Sequence, residues 1–82
     1  MTLRVLYFAG LRDALGLAEE RIELPGDALS VGDLCAHLAA RHPPYAARRA
    51  HVRVARNEAF APLDERLADG DVIALVPPVA GG

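Results

Sequence analysis

The chain opens with short apolar runs that have strand periodicity. Residues 3–9 predict a first strand, and residues 11–15 predict a short helical turn that Gly16 ends. Residues 18–24 alternate in part, with Ile22 on the apolar face, and predict a second strand. The second strand follows the first closely enough in sequence for the two to pair.

The helix with the strongest signal begins after Ser30. Ser30 is a favourable N-cap residue, and Asp33 stands three positions later, where its carboxylate can complete a capping box. Apolar residues then recur at helical spacing, at Val31, Leu34, Cys35, Leu38 and Ala39. His42 and the two prolines after it are expected to end this helix, and residues 45–49 are interpreted as a loop or a frayed helical turn.

The second half of the chain predicts three more strands separated by turns. Residues 51–56 alternate between apolar and polar side chains, and Asn57-Glu58 can form a tight turn into a short strand over residues 59–61. Asp69-Gly70-Asp71 is a strong turn signal in front of the wholly apolar segment 72–76, which predicts the last strand.

Two strands, a crossing helix and then further strands is the order of an α+β β-grasp fold. We therefore expect a mixed sheet of about five strands with one main helix. The first and last strands are apolar at both alternating sets of positions, whereas one helix covers only one face of a sheet. Part of the second face is expected to be an exposed apolar patch, which usually marks a partner. The alternative is that loops cover this second face.

Composition and charge narrow the function classes. The 82 residues suffice for one small domain, and the net charge of -2 argues against a dedicated nucleic-acid-binding protein. All nine Lys-plus-Arg positions are arginine, which excludes chemistry that needs a lysine amine. No signal peptide and no run long enough to span a membrane is visible.

The residues that most often hold metals are sparse and poorly spaced. A single cysteine, Cys35, excludes an internal disulfide and a cysteine-cluster metal site. Because Cys35 lies on the apolar stripe of the predicted helix, we expect a buried structural thiol. A single unpaired cysteine also fits a cytoplasmic setting. His37, His42 and His51 do not have a metal-ligand spacing, so neither a metal nor a bound cofactor is expected.

The C-terminal segment carries the sharpest functional signal. After a domain over residues 1–76, residues 77–82 are expected to form a flexible tail, stiffened at its base by Pro77-Pro78. Gly81 and Gly82 lack side chains, so the tail end is thin enough to enter a narrow channel in another protein. The Gly82 carboxylate would be the reactive group once it is activated, for example as an acyl-adenylate. The alternative is an unstructured terminus of small residues.

A basic stretch over residues 48–56 holds four arginines and His51 without an acidic residue. It could contact phosphate or an acidic protein patch. Because no aromatic residues are interleaved, a solvated strand face and loop is preferred over a nucleic-acid site.

Three segments resemble the family of molybdopterin synthase small subunits, which are ubiquitin-like sulfur carriers. They are the first strand over residues 5–9, the Asp69-Gly70-Asp71 turn, and the terminal Pro-Pro-Val-Ala-Gly-Gly of residues 77–82. The resemblance covers the whole chain. It implies that a ubiquitin-activating-like adenylyltransferase uses ATP to adenylate Gly82, and that a sulfur donor protein supplies sulfur for a C-terminal thiocarboxylate.

The same resemblance implies a sulfurtransferase heterotetramer in which the large synthase subunit provides the acid and base residues. The tail residues Val79, Ala80 and Gly81 would insert into that subunit together with Pro77 and Pro78, and the sulfur on Gly82 would attack a cyclic pyranopterin precursor of the molybdenum cofactor. The residues that match the family's partner interface are Phe8, Phe60 and Val76.

Three other functions stay open on the sequence. The chain could be a sulfur carrier for thiamine or for tRNA thiolation. It could be a ubiquitin-like modifier that forms isopeptide bonds on target proteins. It could also be a non-catalytic interaction module whose glycine tail has no chemical role.

Overall fold

The structure is a computed structural model that describes residues 1–78. Within these residues it has five strands, three α-helices and one 3-10 helix. In chain order these are β1 (Thr2–Tyr7), α1 (Ala9–Leu15), β2 (Glu19–Glu23), α2 (Val31–Arg41), α3 (Pro43–Arg48), the 3-10 helix (Arg49–His51), β3 (Arg53–Arg56), β4 (Ala59–Phe60) and β5 (Val72–Val76).

The five strands form one mixed sheet in the order β2-β1-β5-β3-β4. β1 and β5 are parallel, with Val5 opposite Ile73 and Tyr7 opposite Leu75, and the other three strand pairs are antiparallel. A mixed sheet with β5 at its centre and a helix packed across one face is the predicted β-grasp fold. β5, the last strand in the sequence, is thus hydrogen-bonded to β1 on one side and to β3 on the other.

The core lies between the sheet and α2. The capping box predicted at Ser30 is present, since the Ser30 hydroxyl accepts a hydrogen bond from the Asp33 amide at 3.2 Å and the Asp33 carboxylate accepts one from the Ser30 amide at 2.9 Å. The helix then buries the predicted stripe against the sheet. The buried residues are Leu3, Val5, Tyr7, Leu11, Ile22, Val31, Leu34, Cys35, Leu38, Tyr45, Val54, Leu67, Ile73 and Leu75.

The interpretation of residues 45–49 as a loop or frayed turn was wrong. The prolines that end α2 also start α3, because proline has the backbone angle of a first helical residue and lacks only an amide hydrogen that no helix uses there. Tyr45 is buried in the core from this helix. α2 is the main helix, as predicted, and the two short helices α1 and α3 add Leu11 and Tyr45 to the core.

The tight turn at Asn57-Glu58 was predicted correctly and joins β3 to β4. Both residues have positive φ angles, +49° and +73°, as a two-residue hairpin turn of this hand requires.

No helix within residues 1–78 combines the length and the apolar character needed to cross a membrane.

Candidate functional site

The sheet face turned away from the helices is partly apolar, as the two-sided pattern of the first and last strands predicts. Along β1, Val5 and Tyr7 are buried towards the helices, whereas Leu6 between them is half-buried on the other face. Along β5, Ala74 and Val76 are likewise half-buried on that second face. We call this second surface the open face.

The structure places the three predicted interface residues on the open face. Phe8 follows β1 in an extended conformation and is 43% exposed, and because Tyr7 pairs with Leu75 it continues the strand alternation beside Val76. Phe60, on β4, is 54% exposed. Their role in docking a partner stays a prediction.

Arg53 completes this apolar half of the open face. It pairs with Val76 across the β3–β5 ladder, and its guanidinium carbon lies 3.5 Å from the centroid of the Phe60 ring. A guanidinium over an aromatic face is a cation–π contact. Strand alternation put Arg53 opposite Val54, and the predicted hairpin from β3 to β4 pairs Ala55 with Phe60 on the same face as Arg53. These two signals were not combined in the sequence analysis.

The other half of the open face is charged and internally paired. Arg4 on β1 contacts Glu19 on β2 at 2.5 Å, and Arg21 contacts Glu23 at 3.2 Å. The hydrogen bond and the charge of Arg4 lower the pKa of Glu19. The open face therefore has a charged end at β2, where arginine and glutamate side chains pair with one another. Its other end, at β3 and β4, is apolar and is bordered by Arg53.

The base of the predicted tail leaves the sheet from its central strand. Pro77 is half-buried and Pro78 is exposed, and both line a groove of about 350 Å³ together with Ala9, Gly10 and His51. Val79, Ala80, Gly81 and Gly82 lie outside the described residues. The reactive terminus and the inserting tail therefore remain predictions.

The basic stretch over residues 48–56 is divided by the fold. Arg56 is ion-paired with Asp71 and Glu65, and Arg48 donates a hydrogen bond to the Pro44 carbonyl at 3.0 Å. Arg48, Arg49 and Arg53 have no carboxylate partner within residues 1–78. Of the four arginines in the stretch, Arg56 is therefore ion-paired within the fold. The other three have no neutralising carboxylate among the described residues.

Asp71 is a buried structural residue that the sequence analysis treated only as part of a turn. Its carboxylate accepts hydrogen bonds from Arg56 Nε at 2.6 Å, the Asn57 side-chain amide at 2.9 Å and the Ala68 amide at 2.7 Å. Burial alone would raise the pKa of Asp71, but these donors outweigh it and hold that pKa below its usual value. The network fixes the β3–β4 turn to the start of β5.

A second polar cluster joins the end of α2 to β1 and β2. Glu20 accepts a hydrogen bond from the Tyr7 hydroxyl at 2.7 Å, and its carboxylate lies 2.6 Å from His42 Nε2 and 2.9 Å from Arg41 Nε. Burial would raise the pKa of Glu20, yet these partners lower it. Burial and the Glu20 hydrogen bond both raise the pKa of Tyr7. The cluster connects the end of α2 to β1 and β2 and is therefore structural. The alternating polar and apolar pattern of the second strand did not indicate this role for Glu20.

Within residues 1–78 no three His, Cys, Asp or Glu side chains gather closely enough to hold a metal ion. Cys35, the one thiol, is buried in the core. The described residues thus offer a partly apolar surface beside the base of the tail, and the buried carboxylates of Glu20 and Asp71 are engaged in structural contacts.

The chain is similar to known proteins over nearly its whole length. A model of the ThiS family matches residues 5–82. The molybdopterin synthase sulfur carrier subunit of Chlamydomonas reinhardtii is 39% identical over 84 residues, covering 100% of both chains. The solved structure of SAMP1, small archaeal modifier protein 1, from Haloferax volcanii superposes with a TM-score of 0.90 at 32% identity, covering 100% of both chains.

A solved complex adds a relative in its assembled state. In the complex of subunits 1 and 2 of the molybdopterin-converting factor from Helicobacter pylori 26695, one chain superposes with a TM-score of 0.72 at 25% identity, again covering 100% of both chains.

Proposed function

Since the chain belongs to the ThiS family, we propose that it is the sulfur-carrier small subunit of a molybdopterin synthase. Relatives that bear this name align over nearly all of the chain at 31–39% identity. The single observation that carries the proposal is the position of the tail base. Pro77 and Pro78 continue directly from the end of the central strand, where Val76 lies on the apolar half of the open face and pairs with Arg53.

Because the tail begins beside the apolar half of the open face, a partner that binds this face would also receive the C-terminal group. A partner that covers Phe8, Phe60 and Val76 also meets the chain at the point where the tail begins. Four residues follow Pro78, and an extended chain spans about 3.3 Å for each residue, so the terminal group reaches roughly 13 Å into that partner. In this proposal the partner is the large synthase subunit.

The chemistry of the tail is proposed in two steps. An activating enzyme first joins the Gly82 carboxylate to AMP from ATP, with release of pyrophosphate, because a free carboxylate is a poor electrophile. A donor protein then supplies sulfur at the sulfide oxidation level, and this sulfur attacks the acyl carbon, displaces AMP and leaves a thiocarboxylate. The ionised sulfur is the nucleophile that the large subunit directs at the cyclic pyranopterin precursor, where it forms a carbon–sulfur bond and displaces an oxygen substituent. Water then cleaves the bond between this sulfur and the Gly82 carbonyl, which restores the carboxylate, and two such rounds supply both sulfurs of the dithiolene. The large subunit supplies the acid and base residues.

A second function is favoured by the similarity to Haloferax volcanii SAMP1, whose name describes a modifier protein. A modifier would join Gly82 to a lysine amine of a target protein. Because this chain has no lysine, it cannot accept a second copy of itself on a lysine side chain. A modifier function would therefore not give lysine-linked chains of this protein.

The test is intact-mass measurement of the full chain after incubation with the activating enzyme, ATP and a sulfur source. We expect a mass increase equal to the replacement of one oxygen by sulfur, located on Gly82. A variant that lacks Gly82 serves as the control, with an unchanged melting temperature and no mass shift. An unchanged mass in the full chain would contradict the carrier function.

Two further measurements separate the alternatives. Addition of the large subunit and the pterin precursor should consume the thiocarboxylate and yield the dithiolene product. Conjugates of higher mass in a cell extract, without that product, would instead favour the modifier.

A further inference from the structure

An open cleft lies at the β4 edge of the sheet, beside the helices. Its volume is about 900 Å³. Phe60 and Leu63 line it and are 54% and 57% exposed, the two highest values among the large hydrophobic residues of the described chain. Buried Cys35 and Tyr45 line its inner side. The cleft thus combines an apolar floor with two apolar side chains that lack full cover.

Two arginines give this cleft a positive charge. Arg49 is half-buried and Arg53 is exposed, and both line it. Neither has a carboxylate partner among residues 1–78, although the chain as a whole carries a net charge of -2. A group that fills the cleft must therefore bring apolar surface and negative charge together.

The polar groups of the cleft favour a protein segment over a small molecule. Sites for small ligands orient them with a few polar groups set inside an apolar pocket. Here every buried side-chain nitrogen or oxygen of the described residues already has a hydrogen-bond partner. Among the charged side chains that line the cleft, Arg49 and Arg53 have no carboxylate partner within residues 1–78. An apolar centre with charged groups around it is the anatomy of a protein–protein contact.

We propose that this cleft receives a segment of the large subunit that carries an apolar anchor side chain flanked by carboxylates. The proposal rests on the proposed function. Phe60 belongs both to the open face and to the cleft, so one partner extends from the first surface into the second around the β4 edge. The anchor packs between Phe60 and Leu63, and the carboxylates pair with Arg49 and Arg53.

The first experiment measures binding of the full chain to the purified large subunit by calorimetry at two salt concentrations. Close charge pairs across an interface are worth at least about tenfold in affinity each, so Arg49→Gln with Arg53→Gln should weaken binding about a hundredfold. The double variant should also show a smaller loss of affinity at high salt.

The matched control is Arg21→Gln, which removes a positive charge from the open face at its other end. Arg21 already has Glu23 as a partner, so this variant should bind within about twofold of the unchanged protein. Melting temperatures of all variants check that the fold is intact.

The second experiment locates the contact. Leu63 and Ala46 line the cleft and lie outside the strands of the open face, so their amide NMR signals should shift on complex formation. Leu63→Ser should weaken binding about tenfold without loss of stability, because its side chain is exposed and only its backbone carbonyl, which accepts from the Gly32 amide at 2.8 Å, supports the fold.

The outcomes separate the two proposals. If the unchanged protein binds and the double arginine variant binds like Arg21→Gln, the cleft proposal is overturned and the carrier function stands. If the unchanged protein does not bind the large subunit, the proposed function fails and the cleft proposal fails with it.

Discussion

The two faces of the sheet are built from alternate residues of the same strands, yet only one is covered. Towards the helices, Val5, Ile73 and Leu75 are fully buried. On the open face, Leu6 and Val76 are half-buried and Phe8 is largely exposed. Burial on the first face stabilises the domain, whereas the apolar side chains of the second face gain little until another protein covers them.

The largest effect should come from the covered face. Leu75→Ala leaves a cavity between β5 and the helices and should lower the free energy of unfolding by about 4 kcal/mol. Val76→Ala, one residue later on the open face, should cost less than about 1 kcal/mol because its side chain is only partly buried. Urea denaturation of both variants measures this difference. Equal losses would contradict the distinction between the faces.

Asp71→Asn should destabilise the domain by about 3 kcal/mol, since it removes the buried charge that accepts hydrogen bonds from Arg56, Asn57 and Ala68 and leaves Glu65 as the remaining carboxylate partner of Arg56. Denaturation at several pH values adds a sharper measurement. The folded pKa of Asp71 lies below its unfolded value of about 3.9, so the carboxylate contributes fully above about pH 5 and the contribution is lost as the pH falls through the folded pKa. The difference between the variant and the unchanged protein should therefore shrink below about pH 4. A constant difference would show that the Asp71 charge is not the stabilising feature.

Phe8→Glu reverses the pattern expected for a core substitution. It should leave stability nearly unchanged, because Phe8 is exposed, but weaken binding to the large subunit about a hundredfold, near 2.7 kcal/mol, by placing a carboxylate in an apolar contact. Ala14→Glu on the exposed side of α1 adds the same charge away from the open face and is the control. Affinity and melting temperature are measured together, and equal affinities of the two variants would remove Phe8 from the docking surface.

The smallest effect concerns the turn that connects β3 to β4. Glu58 has a φ angle of +73°, a conformation that glycine adopts without the steric cost borne by other residues. Glu58→Gly should raise the free energy of unfolding by about 1 kcal/mol, with Asn57 unchanged as the preceding turn residue. A loss of stability in urea denaturation would contradict the steric cost assigned to this turn.

Local patterns predicted much of this fold. The first and last strands, which are apolar at both alternating sets of positions, indicated a sheet with apolar side chains on both faces, and the Ser30 capping box located the start of α2. The same local reading missed α3, because Pro43-Pro44 was considered only as the end of one helix and not as the start of another. Proline can end one helix and begin the next. A helix forms after Pro43-Pro44 because it buries Tyr45 in the core.

The candidate site was predictable where it depends on strand parity and on one short turn, and not where it depends on strands that are distant in sequence. Family resemblance selected Phe8 and Phe60, and both lie on the open face. The contact of Arg53 with Phe60 follows from the register that the Asn57-Glu58 turn sets, which the sequence analysis did not apply. The burial of Asp71 depends on Arg56 from another strand, 15 positions away in sequence, so no local pattern signals it.

The central place of β5 has a mechanical consequence. If the segment beyond Pro78 were pulled out of a partner's channel, as the proposed function requires, the force would act along a strand that is hydrogen-bonded to β1 on one side and β3 on the other. Two ladders would share that force as shear, whereas an edge strand would lose its hydrogen bonds one at a time. The domain would then resist unfolding from its C-terminal strand.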